Sequence, residues 1–390
     1  MGDNIVGPPK DNNIHIHIHY HGTTPIKEGL PSSISIDEDH AAKKGGFGEI
    51  LFGHIQGMPI VIKKQKYIRS TSSKKYIFLQ NEINALKVLN SKKGEDYHCI
   101  TCLSFFTMEG GSFCMAFPLC IDSFAIFKSL HIYRYFRTRL ILEFTMQITS
   151  ALKFLHGIGI VHRDIKAENI LLLYKNGRFS AIVADFGSCM HKKTDKRTDG
   201  TRQYLAPEIF CSIKDSPLKH WNDFRMDYWA LGVLLYILLT GKYPFIKSDG
   251  SSTNVYKSWI DWLGGLKDET IKKESLFRRK HTITSTGCIE WDDGLEGIGE
   301  PDIPINIALP ENVLLLEMVH GLITVQPFHR WGSRQILHCY EKLYPPLLKK
   351  AEIELGIVDD INIDRMHDAL FEDIKAMPTR AFGLGFMETE

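Results

Sequence analysis

One run of eight residues, His162-Arg163-Asp164-Ile165-Lys166-Ala167-Glu168-Asn169, does most to limit what this chain can fold into. It follows a long stretch, Arg137 to Leu155, in which Leu140, Phe144, Ile148, Leu152 and Leu155 recur at helical spacing. Asp185-Phe186-Gly187 and then Ala206-Pro207-Glu208 come after it, in that order. Upstream stand a glycine-rich turn, Gly45-Gly46-Phe47-Gly48, and a lysine at the end of the β-like run Ile60-Val61-Ile62-Lys63. A lone glycine turn marks many ordinary hairpins and constrains little. The whole series in one order does not arise by chance.

The patterning around these runs predicts an α+β chain with two unequal lobes. Short β-like runs surround the glycine turn between about residues 36 and 68, and residues 74–90 place Phe78, Leu79, Ile83, Leu86 and Leu89 at helical spacing. More β-like sequence follows at 100–106 and 112–119. The order is that of a small β-rich lobe, 36–119, with one long helix. Beyond Ala206-Pro207-Glu208 the chain reads mostly helical, so the second lobe, 120–345, is expected to be mainly α. Residues 1–35 form a polar N-terminal tail, 346–390 a C-terminal tail with helical patterning, and an insert is expected near 265–305.

Bulk properties exclude several function classes. With a net charge of +1, no large field argues for nucleic acid or an anionic membrane as partner. The longest apolar run, Tyr228 to Leu239, is too short to span a bilayer. No secretory signal is visible in the polar N-terminus. Met1-Gly2 opens as an acylation site does, but Val6 stands where Ser or Thr is preferred. The eight cysteines are scattered, and Cys99-x-x-Cys102 lacks a second ligand pair at zinc spacing, so reduced core thiols are expected. A cytoplasmic location, with the nucleus open to the protein, follows as an expectation.

The run at 162–169 reads H-R-D-I-x-x-x-N and resembles the H-R-D-L-x-x-x-N loop of protein kinases. Together with D-F-G at 185–187 and G-T-x-x-Y-x-A-P-E at 200–208, it makes the chain, over about 36–345, resemble a divergent eukaryotic-type serine/threonine protein kinase. That resemblance implies ATP and Mg²⁺ as cofactors and Ser/Thr hydroxyls of proteins as substrates. It implies Asp164 as the catalytic base, Lys166 against the γ-phosphate, and Asn169 and Asp185 as the Mg²⁺ ligands. Lys63 would neutralise the α- and β-phosphates and pair with Glu82. Lys64 is the competing candidate, since it shares the Ile62 face of the strand as Lys63 shares the Val61 face.

ATP contacts are implied for Gly45, Gly46, Phe47, Gly48, Ile50, Val61, Phe117, Leu119 and Leu171, with Phe117 guarding the back of the pocket and Pro118 to Cys120 following the adenine. The chain departs from the family pattern at two places. Lys43 stands at the first glycine position, and Val61 stands where Ala is usual. Lys166 and Thr201 are the marks of Ser/Thr specificity. Arg163 is the arginine that clamps a phosphorylated activation loop in related kinases, and Thr194 and Thr198 are the candidate acceptors for self-phosphorylation; a loop ordered without phosphate is the alternative. Asp227 resembles the anchor of the H-R-D backbone, and Arg330 the partner of Glu208.

Glu168 stands where some related kinases meet a basic residue before the phosphoacceptor, which suggests substrates with upstream Arg or Lys. A pseudokinase scaffold that binds partners without catalysis remains the second reading, and a small-molecule kinase the third. Three segments stay open. In Ile14-His15-Ile16-His17-Ile18-His19-Tyr20-His21 the alternation puts four imidazoles on one strand face, for metal, for pH sensing or for plain strand pairing. The acidic Glu290-Trp291-Asp292-Asp293-Gly294-Leu295-Glu296 is either a docking loop or a solvated excursion. The C-terminal tail either packs on the large lobe or does not.

Overall fold

The computed structural model describes residues 27–37, 43–45, 48–65, 73–92, 97–108, 111–122, 134–191, 200–210, 224–241, 243–244, 281–283, 289–291, 309–355, 367 and 370–371. The small lobe is a sheet of β1 (Lys27–Glu28), β2 (Ile34–Ile36), β3 (Lys43–Gly45), β4 (Gly48–Ile55), β5 (Met58–Gln65), β6 (Ser104–Met108) and β7 (Ser112–Pro118). The strand order is β1-β6-β7-β5-β4-β2, with β3 paired to β4. Alternation along β5 sorts its side chains. Ile60 and Ile62 join Ile34, Phe106, Cys114 and Ala116 in a small core on one face. The other face carries Phe105, Phe113, Met115 and Phe117 into the main core, against Leu79, Ile83 and Leu86 of helix α1 (Lys74–Ser91). Ser73 starts that helix by accepting from the Tyr76 N–H at 3.2 Å.

The large lobe begins with β8 (Ile121–Asp122) and α2 (Arg134–Gly157). Helix α2 buries the five apolar residues its periodicity singled out. Next come β9 (Ile160–Val161), β10 (Ile170–Lys175), β11 (Arg178–Val183) and β12 (Met190–His191). Their register decides where the chemistry sits. Val161 pairs with Met190, and Ile170 pairs with Val183. The loops 162–169 and 184–189 are therefore pinned side by side at both ends by the same two strand pairings.

The short α3 (Pro207–Phe210) leads toward α4 (Arg225–Thr240), which is buried from Met226 to Thr240. A helix apolar all round belongs inside a core, and this one accounts for the run Tyr228 to Leu239. Among the described residues no helix is long and apolar enough to cross a membrane. Helices α5 (Pro310–Leu322) and α6 (Ser333–Leu355) pack against α4 and α2. The expected two-lobed α+β arrangement is the one observed.

Three points of organisation left by the sequence can be placed in the structure. The boundary at 345/346 falls inside α6, which continues through Pro345 and Pro346. The carbonyls those prolines leave without an N–H partner belong to Glu341 and Lys342, both exposed, so water can satisfy them. Within the tail, His367 and Leu370 are buried and Phe371 stacks on Tyr174 at 4.4 Å. Glu290 and Trp291 lie on β14 (Ile289–Trp291), paired antiparallel with β13 (His281–Ile283), and so are strand residues. The remainder of the 265–305 insert and the His/Ile alternation at 14–21 lie outside the described residues.

Arg330 is the buried tie of the large lobe. Its guanidinium donates to Glu208 at 2.6 and 2.8 Å, and to the carbonyls of Thr324, Arg225 and Val325 at 3.0, 2.9 and 3.1 Å. It also lies 5.0 Å from the Trp229 ring. Removing one partner of a buried pair leaves an uncompensated charge, at a cost of about 3–5 kcal/mol. Arg330→Ala is therefore expected to lower unfolding free energy by about that amount in urea titrations. An unchanged midpoint would contradict the clamp.

Candidate active site

The loop at 162–169 hangs from one carboxylate. Asp227, fully buried in the first turn of α4, accepts from the backbone N–H of His162 at 2.9 Å and of Arg163 at 2.7 Å. His156, at the end of α2, reaches the same carboxylate at 2.8 Å. Burial alone would raise the Asp227 pKa, but the His156 bond, with help from His162 and the Arg163 N–H, holds it below the ordinary carboxylate value. Arg163 has a φ of 70°, a left-handed conformation that costs a non-glycine residue about 1–3 kcal/mol and persists only where its surroundings over-determine it. His162 ties this loop to the next. Its Nδ1 accepts from the Asp164 N–H at 3.3 Å, so its Nε2 carries the proton and donates to the Ala184 carbonyl at 3.0 Å.

Asp164 is held on both oxygens. Oδ1 accepts from the Thr201 N–H at 2.9 Å and from Thr201 Oγ1 at 2.8 Å. Oδ2 faces the Lys166 ammonium at 3.0 Å and the Asn169 amide at 3.2 Å. Lys166 also donates to Thr201 Oγ1 at 2.9 Å. Burial would lower the Lys166 pKa, but the Asp164 charge and bond outweigh it and raise the value. Gly200 permits the close approach of the 200–208 segment. Its φ is 126°, and a Cβ there would meet the Arg163 carbonyl at 2.7 Å.

The small lobe contributes Lys63 on β5 and Glu82 on α1. Lys63 Nζ donates to both Glu82 oxygens, at 2.7 and 2.8 Å, and stands 3.9 Å from Asp185 Oδ1. Burial works against charge on both partners and pushes the Glu82 pKa upward, although the two short bonds from the Lys63 ammonium pull it down. Lys63 itself rises above its ordinary value, because the charges of Glu82 and Asp185 overcome its burial. Lys64 points the other way and pairs with Glu49 at 3.6 Å, so the structure puts Lys63, not Lys64, in the cleft.

Asp185 has a φ of 62° and takes a bond from the Gly187 N–H at 3.2 Å. Although 43% of its side chain is open, the partial loss of water around its carboxylate raises its pKa; Lys63, that N–H, His162 and Lys166 outweigh this and depress it, so it is anionic. Asn169 commits its amide nitrogen to the Asp164 carbonyl at 2.8 Å, so its Oδ1 is the atom that could hold a cation. One carboxylate and one amide oxygen are hard ligands of the kind Mg²⁺ prefers, so Asp185 and Asn169 are the residues that would hold such a cation. Among the described residues no group of three or more His, Cys, Asp or Glu could cage a metal.

Around these polar groups, Val61, Phe117 and Leu171 are buried, with Val61 and Phe117 directly paired across β5 and β7. Leu119 spends its N–H on the Pro59 carbonyl at 3.2 Å. Gly45 pairs with Gly48 at the tip of β3 and β4, and Ile50 is buried just beyond. Gly48 is forced to be glycine by β5, since a Cβ would meet the Lys64 carbonyl at 2.3 Å. Gly46, Phe47, Thr194 and Thr198 lie outside the described residues. Sequence reasoning missed His156 and the role of Asn81, whose side chain reaches the Gly187 carbonyl at 3.3 Å. Neither has a local signal, because their partners lie 71 and 106 residues away.

A family model described as protein kinase domain matches residues 43–340. Protein kinase C epsilon type of Oryctolagus cuniculus is 25% identical over 286 residues, covering 70% of this chain and 36% of that protein. Serine/threonine-protein kinase chk-2 of Caenorhabditis elegans is 31% identical over 274 residues, covering 65% of this chain and 51% of that protein. Serine/threonine-protein kinase SBK1 of Danio rerio is 39% identical over 117 residues, covering 30% of this chain and 29% of that protein. The chain thus spans between 29% and 51% of the length of these relatives.

The Asp227 geometry has a testable pH signature. Its folded pKa is depressed, so its stabilisation is present above the ordinary value of about 3.9 and is lost as pH falls through the folded value. Asp227→Asn is expected to be less stable than wild type at pH 7, with the gap narrowing below about pH 4. Urea midpoints of both proteins across that range check it, and a gap that stays constant into acid would contradict the assignment.

Proposed function

This chain belongs to the eukaryotic-type protein kinase family, and on that premise we propose that it transfers the γ-phosphate of ATP to Ser or Thr hydroxyls of proteins, with Mg²⁺. The observation that carries the proposal is the closed network at Asp164, where one carboxylate meets Lys166, Thr201 and Asn169 while Lys63, paired to Glu82, stands 3.9 Å from Asp185. Phosphoryl transfer asks a protein mainly for positioning and charge, and each requirement has a residue here.

Asp164 accepts the proton of the attacking hydroxyl as the new O–P bond forms and the bond to the leaving ADP oxygen breaks. Lys166 takes up charge on the transferred phosphoryl group, and Lys63 neutralises the α- and β-phosphates. Asp185 and Asn169 would hold Mg²⁺, which when bound would offset phosphate charge. Val61, Leu171 and Phe117 supply the apolar walls for adenine. Thr201, by bonding Asp164 and Lys166 together, orients both and makes the peptide-binding segment part of the site. A phosphate on Thr194 or Thr198 would pair with Arg163 and is proposed as self-regulation.

Glu168 supports a preference among substrates. It is half-buried on the same loop as Asp164, where its negative charge suits an Arg or Lys upstream of the phosphoacceptor.

Two experiments test these proposals. With labelled ATP and Mg²⁺, Asp164→Asn and Lys63→Met are expected to lose about 10²-fold or more of wild-type phosphate transfer, and Lys64→Met to keep most of it. No transfer from folded wild type, under varied substrates, would favour a scaffold without catalysis. In peptide arrays, Glu168→Gln is expected to cut kcat/KM for peptides with an upstream Arg about tenfold and leave neutral peptides unchanged. Equal losses on both peptide classes would remove Glu168 from substrate choice.

A further inference from the structure

Asp185 is held in a left-handed conformation, so something outside its own loop must keep it there. On the large-lobe side the restraints are plain. The Ala184 N–H donates to the Asn169 carbonyl at 2.9 Å, the Ala184 carbonyl accepts from His162, and Phe186 packs against the His162 ring at 5.2 Å. On the small-lobe side the loop meets α1 through one turn of helix. The Asn81 amide donates to the Gly187 carbonyl at 3.3 Å. The Cys189 thiol reaches the Asn81 backbone carbonyl at 3.6 Å. Phe78 lies close enough to Gly187 that a Cβ there would meet its ring at 3.2 Å.

Asn81 is a poor residue for a helix interior, since its amide competes for backbone groups and it forms helix less readily than Leu, Lys or Gln. Its neighbour Glu82 grips Lys63. The same turn of α1 thus holds the phosphate-facing lysine with one side chain and the Asp185 loop with the next. Gly187 is the coupling point, because its N–H bonds the Asp185 carboxylate while its carbonyl is held by Asn81.

We infer that Asn81 is a positioning residue that sets the Asp185 carboxylate for its cation by holding the Gly187 carbonyl, so that the register of α1 and the geometry of the metal-holding loop are fixed together. The identity of the cation rests on the kinase reading; the tether does not.

The test compares wild type, Asn81→Leu, which keeps the shape and removes the donor, and Asn81→Gln, which keeps an amide. Amide hydrogen exchange is read in the nucleotide-free proteins. Affinity for a non-hydrolysable ATP analogue is read with and without Mg²⁺. Asn81→Leu is expected to exchange about three- to tenfold faster over residues 184–191 with no change over 104–118. It should also lose a similar factor of the affinity gained from Mg²⁺, with Mg²⁺-free affinity intact and Asn81→Gln nearer wild type. Unchanged exchange over 184–191 would overturn the inference, as would a uniform rise over both stretches, which marks simple loss of stability. Asn81→Ala substitutes if the Leu variant does not fold. The exchange arm needs neither nucleotide nor turnover, so a wild type that transfers no phosphate defeats the proposed activity without touching this result.

Discussion

The buried carboxylate of Asp227 is the contact on which the rest of this site depends. An anion taken out of water is costly, and this one is tolerated because it sits at the positive end of α4 and accepts from two backbone N–H groups and a histidine. In return it holds the 162–169 loop in a conformation the chain would not adopt alone, with Arg163 at positive φ. A second buried carboxylate, Glu208, is tied to the same end of α4, since Arg330 bonds both Glu208 and the Arg225 carbonyl. The catalytic loop and the segment from Thr201 to Glu208 are therefore referenced to one helix terminus. Thr201 and Asp164 meet at 2.8 Å as a consequence.

What could be read from the sequence follows from what chemistry permits. Asp164, Asn169 and Asp185 stood out because the motifs that carry them resemble those of protein kinases, and that resemblance implied their roles. Helices α1 and α2 were legible because each buries one face against a core. Strand alternation, by contrast, treats Lys63 and Lys64 alike apart from their faces; motif register favoured Lys63, and the pairing of Lys63 with Glu82 and of Lys64 with Glu49 separates them in the structure. His156 gave no signal, since a histidine at a helix end has many uses and its partner is remote in sequence.

His367 and Phe371 could not be placed from the sequence for a different reason: their positions are set by the strand they cover. β11 is an edge strand whose outward N–H groups need acceptors. Gln147 of α2 serves Ala181 at 2.6 Å, and His367 serves Phe179 at 3.1 Å through Nδ1. With Nδ1 accepting, His367 carries its proton on Nε2, which faces Glu143 at 3.3 Å. Phe371 closes over Tyr174 and Phe179. The folded unit thus extends beyond residue 340, where the family match ends, because the hairpin leading into Asp185 is completed by the tail.

The charges of the cleft explain why these parts come together only in this form. Glu82, Asp164 and Asp185 are three carboxylates facing the two ammonium groups of Lys63 and Lys166. Lys63 is largely neutralised by Glu82, and Lys166 by Asp164, so Asp185 carries the excess negative charge. It is also the acid of the three with most exposure, at 43% of its side chain. A cation arriving with a polyphosphate satisfies Asp185 directly and brings negative charge that Lys63 and Lys166 can share. Phosphate without a cation would face Asp185 unshielded, and a cation without phosphate would leave both lysines crowded by positive charge. On the proposed activity, these charges would favour a cation and a polyphosphate arriving together over either one alone.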